Sequence, residues 1–355
     1  MKIRFFKILV FLSFTIVLNF AENDKQPVRI YDLNDWMSFK NCNHPTSLTI
    51  GKDFVYFGTT GGIVGYNRYT NKFTEPYSVS DGLIDDNIRA VYYDQLKDYL
   101  WAAHSGGISY LIPTADSWEF VSAEDVMSPS NPVTRIGVYQ DNIWALAPGG
   151  YIFKISRIPG QLSYVPETDI SALKVDWNIS YNDPLPNINN YFLHPNRYEI
   201  IDDNKIIGPE LREFDISLFH TNVRKNIYGG AWGLGFLIGD SNIQSLTIYP
   251  YGPLNNSINA MAKIENGFCL AGSQTGQDEG RRGITFFYPS ELEWDYVEPQ
   301  YILNFPTRII HEVAYKDRKL WYATDQGVLV KSQKNGEYTQ LTVRSEERRV
   351  GKECV

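Results

Sequence analysis

Cysteine and histidine are scarce in this chain, with three Cys and five His among 355 residues. Cys42 and Cys269 stand far apart and form neither a CxxC metal pattern nor a disulfide framework. Both sit in strand-like surroundings and read as buried thiols. His44, His104, His194, His220 and His311 lack any ligand spacing such as HExxH, which argues against the common zinc signatures. A basic excess is also missing. Lys and Arg total 33 against 41 Asp and Glu, a net charge of −8, whereas a nucleic-acid partner wants a basic face. The Gly-rich run at residues 58–62 (GTTGG) lacks the G-K-[ST] ending of a phosphate loop and reads as a turn. Asp81, Asp85 and Asp86, and the pair Asp202 and Asp203, lack the ligand spacing of a calcium loop and read as turn residues. No metal and no cofactor are expected.

Long helical periodicity is absent as well, while aromatics and glycine are plentiful. The chain carries 24 Tyr, 19 Phe, 8 Trp and 27 Gly. Aromatic residues suit pleated strands and glycines suit the tight turns between them, which favours an all-β fold. The two ends differ from this body. Residues 1–21 carry Lys2, Arg4 and Lys7 before an apolar run at 8–20. That is the pattern of a secretory signal, too short for the roughly 20 apolar residues of a spanning helix. The expectation is an exported protein of the periplasm or cell surface, not membrane-spanning once the signal is removed. Residues 344–355 begin RSEERRVGKEC, which resembles a translated sequencing-library adapter and is set aside as a non-native tail. Residues 28–343 form the folding unit.

Within that unit one pattern recurs: an apolar-alternating strand, a polar turn, a strand carrying an aromatic, a Gly-rich turn and another aromatic strand. Tyr56, Trp101, Trp144, Tyr228, Phe268 and Trp321 are expected at equivalent places. Their separations are 45, 43, 84, 40 and 53 residues. The double interval places a degenerate copy between Tyr164 and Glu213, with NRYEIIDDNKIIGP as its strands. The long last interval accommodates an insertion at 275–282. A period of about 40–45 residues, with four short strands per unit, predicts a β-propeller of about seven blades, each a four-stranded antiparallel sheet. Such units cannot bury their faces alone and must stack. Residues 28–43 are expected to pair, as a last strand, with a C-terminal blade and remove a sheet edge.

The best copy, at residues 82–111, resembles the two-component regulator propeller repeat through Gly82, Leu83, Asn87, Ile88, Asp94, Leu100, Trp101, Gly107, Ile108 and Tyr110. Partial copies follow at Gly252, Leu254, Asn256 and Ile258, and at Leu320, Trp321, Ala323, Thr324, Gly327 and Val328. The resemblance implies a propeller. It also implies either the periplasmic sensor region of a longer signalling protein or an exported surface propeller with no kinase attached.

One constellation points to binding. Aligned as first strands, residues 88–91, 134–137, 307–310 and 258–261 place Arg89, Arg135, Arg308 and Asn259 at one position. First strands line a propeller's channel, so matching positions form a ring. Guanidiniums gathered there would hold a carboxylate or phosphate, since arginine binds both bidentately. The alternative is that these arginines pair with carboxylates between blades, such as Asp81 or Asp86. The reading is a non-catalytic propeller that binds an unknown protein or an anionic glycan or carboxylate. A glycan lyase or hydrolase is the enzymatic alternative, but the sequence names no acid pair for it.

Overall fold

The computed structural model describes residues 38–122, 132–156, 162–165, 174–181, 183–201, 204–272, 283–298, 305, 307 and 309–341. The segments expected to be a signal and a foreign tail lie outside them, as do Arg308 and residues 275–282. The described residues form six β-sheets joined by turns and short 3-10 turns. Four antiparallel strands make up sheet I (Pro45–Ile50, Phe54–Thr59, Gly62–Asn67, Lys72–Phe73), sheet II (Ile88–Asp94, Tyr99–His104, Gly107–Ile112, Ser117–Ser122) and sheet III (Arg135–Tyr139, Asn142–Leu146, Ile152–Ser156, Leu162–Val165). The same plan builds sheet IV (Glu213–Thr221, Asn226–Ala231, Gly235–Asp240, Ser245–Tyr249), sheet V (Ile258–Ile264, Gly267–Gly272, Ile284–Tyr288, Glu293–Val297) and sheet VI (Ile310–Lys316, Lys319–Thr324, Gly327–Ser332, Tyr338–Leu341). Each is a propeller blade, and the chain is an all-β propeller protein.

Local sequence explains the hairpins. Gly62 opens the third strand of sheet I at φ +119°, and a Cβ there would stand 2.4 Å from the Tyr77 carbonyl oxygen. Only glycine meets both the conformation and the space. The residue before such turns is locked by its side chain. Thr59 accepts from the Gly61 N–H (3.0 Å) and donates to the Gly62 carbonyl (2.9 Å). Thr324 repeats this with Gln326 (3.1 Å) and Gly327 (2.8 Å).

The expected aromatic positions hold in five of the six sheets. Tyr56, Trp101, Tyr228 and Trp321 each pair three residues before the hairpin-turn residue, and Trp144 takes the matching place in sheet III. In sheet V the place belongs to Cys269, opposite Phe286, and Phe268 is one residue early. The period-two pleat therefore turns Phe268 to the opposite face from the one expected. Cys269 instead joins the core shared with sheet VI, together with Ala271, Phe286, Leu320, Tyr322 and Leu329.

Stacking does not simply follow chain order. Trp101 and Tyr110 of sheet II pack on Ile136, Ile143 and Ala145 of sheet III. Ile63 of sheet I packs on Ile88, Leu100 and Ala102 of sheet II. The other face of sheet I, with Leu48, Val55 and Phe57, meets Leu218, Tyr228 and Phe236 of sheet IV. The first and fourth sheets are thus neighbours, and their rings meet at Phe57–Phe236, 4.5 Å between centroids.

The expected degenerate copy forms no sheet of its own among the described residues. Glu199–Ile201 and Lys205–Ile207 are strands, as the sequence suggested, but they extend sheet IV. Phe192–His194 adds to the opposite edge of that sheet, parallel to Ser245–Tyr249. Asp176–Trp177 pairs with the first strand of sheet III, and Ile179–Ser180 with the first strand of sheet I. The short strands of this region complete other blades because none is long enough to build one alone. The described part of the expected N-terminal strand also behaves differently. Residues 38–43 form no strand. Phe39 contacts Phe268, Phe287 and Trp294 of sheet V, and the Cys42 N–H donates to the Tyr251 carbonyl (3.0 Å). No helix among the described residues is long and apolar enough to cross a membrane.

Candidate functional site

The first strands of five sheets carry a bulge, an extra residue that shifts the register. It lies between Pro45 and Ser47, Ile88 and Ala90, Ile216 and Leu218, Ile258 and Ala260, and Ile310 and Glu312. The bulged residues are Thr46, Arg89, Ser217, Asn259 and His311. Arg89 and Asn259 therefore share a position, as the sequence alignment expects. In sheet VI that place belongs to His311, and Arg308 lies outside the described residues. Sheet III pairs regularly there, with Arg135 opposite Leu146.

Among the described residues these groups are held in different ways. Arg135 makes an ion pair with Asp183, whose other oxygen accepts from the Ser180 N–H (2.8 Å). The same segment, residues 176–180, runs along the first strands of sheets III and I, and Asn178 clasps Ile136 through two hydrogen bonds (2.9 and 3.0 Å). Asn259 Nδ2 donates to the Ile310 carbonyl of the next sheet (3.3 Å). The Thr46 hydroxyl reaches the Ile88 carbonyl of sheet II in the same way (2.7 Å). Arg89 is half-buried and makes no side-chain hydrogen bond or ion pair among the described residues. The acids suggested as partners are used elsewhere: Asp86 pairs with Lys40, and Asp81 caps the turn at Ser78.

Groups that look reactive are also committed to the scaffold. His104 occupies the turn position that Thr59 and Thr324 hold in other sheets. Its Nδ1 accepts from the Gly106 N–H (3.2 Å), so Nε2 is the protonated nitrogen and donates to Ser109 Oγ (2.8 Å). Burial holds this imidazole below its ordinary pKa, against the pull of Asp85. The resulting neutral ring is a donor to Ser109, not a base acting on it. Desolvation raises the Cys42 thiol to about 12 and the Cys269 thiol to about 11. Neither supplies a thiolate near neutral pH. Among the described residues no three His, Cys, Asp or Glu side chains group as metal ligands would.

A different place gathers positive charge. A cleft of about 530 Å³ opens between the hairpin at the end of sheet IV's first two strands and the turns of sheet I. Arg68, Tyr69, His220, Asn222, Arg224 and Tyr228 are among the residues that line it, and no Asp or Glu does. Asn222 sets the hairpin: its Oδ1 accepts from the Arg224 N–H (2.9 Å) and the Asn226 N–H (3.0 Å). Lys225, at φ +71°, turns the chain back. Arg68 Nη2 donates to the carbonyls of Gly51 (3.0 Å) and Lys52, while its Nε is buried with no hydrogen-bond partner. Burial lowers the pKa of His220. Sequence reasoning missed this cleft because it joins segments some 150 residues apart through sheets that are not consecutive.

No protein-family model and no curated protein matches this chain. Among solved structures it is similar to the extracellular domain of BT4673 from B. thetaiotaomicron, at 11% identity and TM-score 0.30, over 84% of this chain and 55% of that one. PorZ, an essential bacterial surface component of the type-IX secretion system of Porphyromonas gingivalis, gives 11% identity and TM-score 0.27 over 86% of this chain and 39% of PorZ. The Cps50 (Swd1) β-propeller domain of Myceliophteria thermophila gives 11% identity and TM-score 0.27 over 87% and 90%. This chain thus spans about half of the BT4673 domain and less than half of PorZ. The overlaps are low, and the fold rests on the six sheets themselves.

Proposed function

We propose that this chain is a non-catalytic binding or sensing propeller of an exported protein. One observation carries the reading. The polar groups that chemistry would need are bound into turns and sheet contacts, whereas Arg68 and Arg224 line a cleft with no carboxylate among its lining residues, and Arg224 makes no ion pair among the described residues. Export rests on the basic start and apolar run of residues 1–21. The repeat motif at 82–111 fits either a binding or scaffold module at the surface or, as the alternative, the sensor region of a longer signalling protein. A direct test incubates the purified chain with a panel of acidic and neutral glycans and small carboxylates. Binding is followed by calorimetry, and recovered ligands by mass spectrometry. Binding with every ligand recovered intact is the expected result. Cleaved or eliminated products would replace this reading with the lyase or hydrolase one.

A further inference from the structure

The cleft between sheets I and IV has features that select a ligand class. It is a basic hollow on an acidic protein of net charge −8. Two arginines and a histidine line it, with no carboxylate among the lining residues. In a purely structural pocket of an acidic chain, Asp or Glu would be expected to neutralise such charge. Arg224 makes no ion pair among the described residues. Arg68 is half-buried and fixed in place: its Nη2 donates to two backbone carbonyls, and its Nε is buried without a hydrogen-bond partner.

The rest of the lining is mixed: Ile50, Tyr69, Val223 and Tyr228 offer apolar surface beside Thr221, Asn222 and Asn226. Tyr69 is 69% exposed and Val223 98% exposed, both lining the cleft. Side chains of this size left in water beside guanidiniums offer a face for a ring while the arginines take a charged substituent. The volume, about 530 Å³, falls in the range of small-molecule sites, roughly 300–1,000 Å³. The hairpin that supplies Arg224 is fixed by Asn222 and by the packing of Tyr228 into the core shared by the two sheets. The charge is therefore presented by a preformed element, which lowers the ordering cost of binding.

We infer that this cleft is a binding site for a small ring-bearing carboxylate, with the carboxylate held by Arg224 and Arg68 and the ring laid on Tyr69 and Val223. The inference rests on the binding-module reading and gives it a ligand class. Ring-bearing carboxylates come from two sources, acidic sugars and aromatic acids, and the test separates them.

Calorimetric titrations of the whole chain use glucuronate and benzoate, with glucose and benzyl alcohol as their neutral counterparts. At least one carboxylate should bind tenfold or more tightly than its counterpart, and the one that does identifies the source. Arg224→Ala should weaken that binding at least tenfold while the melting temperature stays within a degree or two, because Arg224 is exposed and outside the core. Raising the salt concentration should weaken it further. Equal binding of charged and neutral probes, or no binding of either carboxylate, would overturn the assignment. So would carboxylate binding that is unaffected by Arg224→Ala. If another ligand binds the chain with an affinity that Arg224→Ala leaves unchanged, the binding-module reading stands and the cleft assignment falls. If a probe is chemically altered, the module reading itself falls.

Discussion

The Thr46 hydroxyl stands 2.7 Å from the Ile88 carbonyl oxygen, joining the first strand of sheet I to that of sheet II. Asn259 makes the equivalent contact to Ile310 between sheets V and VI (3.3 Å). In both cases the bulged residue of one blade fastens to the carbonyl just before the bulge of its neighbour. The bulge is what frees that side chain from the pleat and aims it sideways. Thr46→Val keeps the shape and removes the donor that the Ile88 carbonyl shares with the Gly58 carbonyl of Thr46's own sheet (3.0 Å). It should cost about 0.5–1.5 kcal/mol in urea unfolding, while Thr46→Ser costs less. Equal stability of Thr46→Val and wild type would show that the contact contributes nothing.

Trp101 and Trp321 hold the same place in their blades but differ in cover. Trp101 is 0% exposed, sealed between sheets II and III, and Trp321 is 39% exposed. Trp101→Ala should cost about 3–5 kcal/mol. Trp321→Ala should cost less, roughly 1–3 kcal/mol, since part of its side chain is already in water. Equal losses in thermal or urea denaturation would mean that another surface covers Trp321.

Arg135 was expected in a ligand ring, and its pairing with Asp183 turns the prediction round. Both side chains are partly exposed, so a double-mutant cycle with Arg135→Ala and Asp183→Ala should give a coupling of about 0.2–1 kcal/mol in stability. Ligand affinity should be unchanged by Arg135→Ala. A stability coupling of zero together with lost binding would restore the ring.

His104 makes stability depend on pH. Burial depresses its pKa below the ordinary 6.5, so the folded chain binds fewer protons than the unfolded one just under that value. The stabilising contribution is complete above pH 6.5 and is lost as pH falls from there toward the depressed pKa. His220 adds a shift of the same sign. His104→Thr installs the turn residue used at Thr59 and Thr324, and it should flatten the fall in melting temperature on the acid side of pH 6.5. An unchanged slope would place the titration elsewhere.

Much of the fold was legible because each blade repeats its chemistry. Trp101, Trp144, Tyr56, Tyr228 and Trp321 mark one register position, and Gly62, Gly107 and Gly327 open the strand after it. Phe268 misled because an aromatic one residue from Cys269 fits the pattern by type but not by pleat. Bulges were not legible, since the extra residue at Arg89 or Asn259 shifts the phase of alternation once, and a strand of seven residues is too short to show that shift against ordinary irregularity. The pairing of Arg135 with Asp183 spans 48 residues through a segment with no strand signal of its own. The cleft was hidden for a related reason: nothing in chain order says that sheet IV packs against sheet I.

Binding without chemistry at the cleft is the central claim, and hydrogen–deuterium exchange on the whole chain tests it most directly. The tightest-binding carboxylate is added at saturation, amide protection is mapped, and the ligand is recovered for mass analysis. The account predicts new protection concentrated at residues 220–226 and around Arg68 and Tyr69, with the ligand recovered intact. Protection elsewhere with none at that hairpin, or a ligand recovered as cleaved or eliminated product, would contradict it.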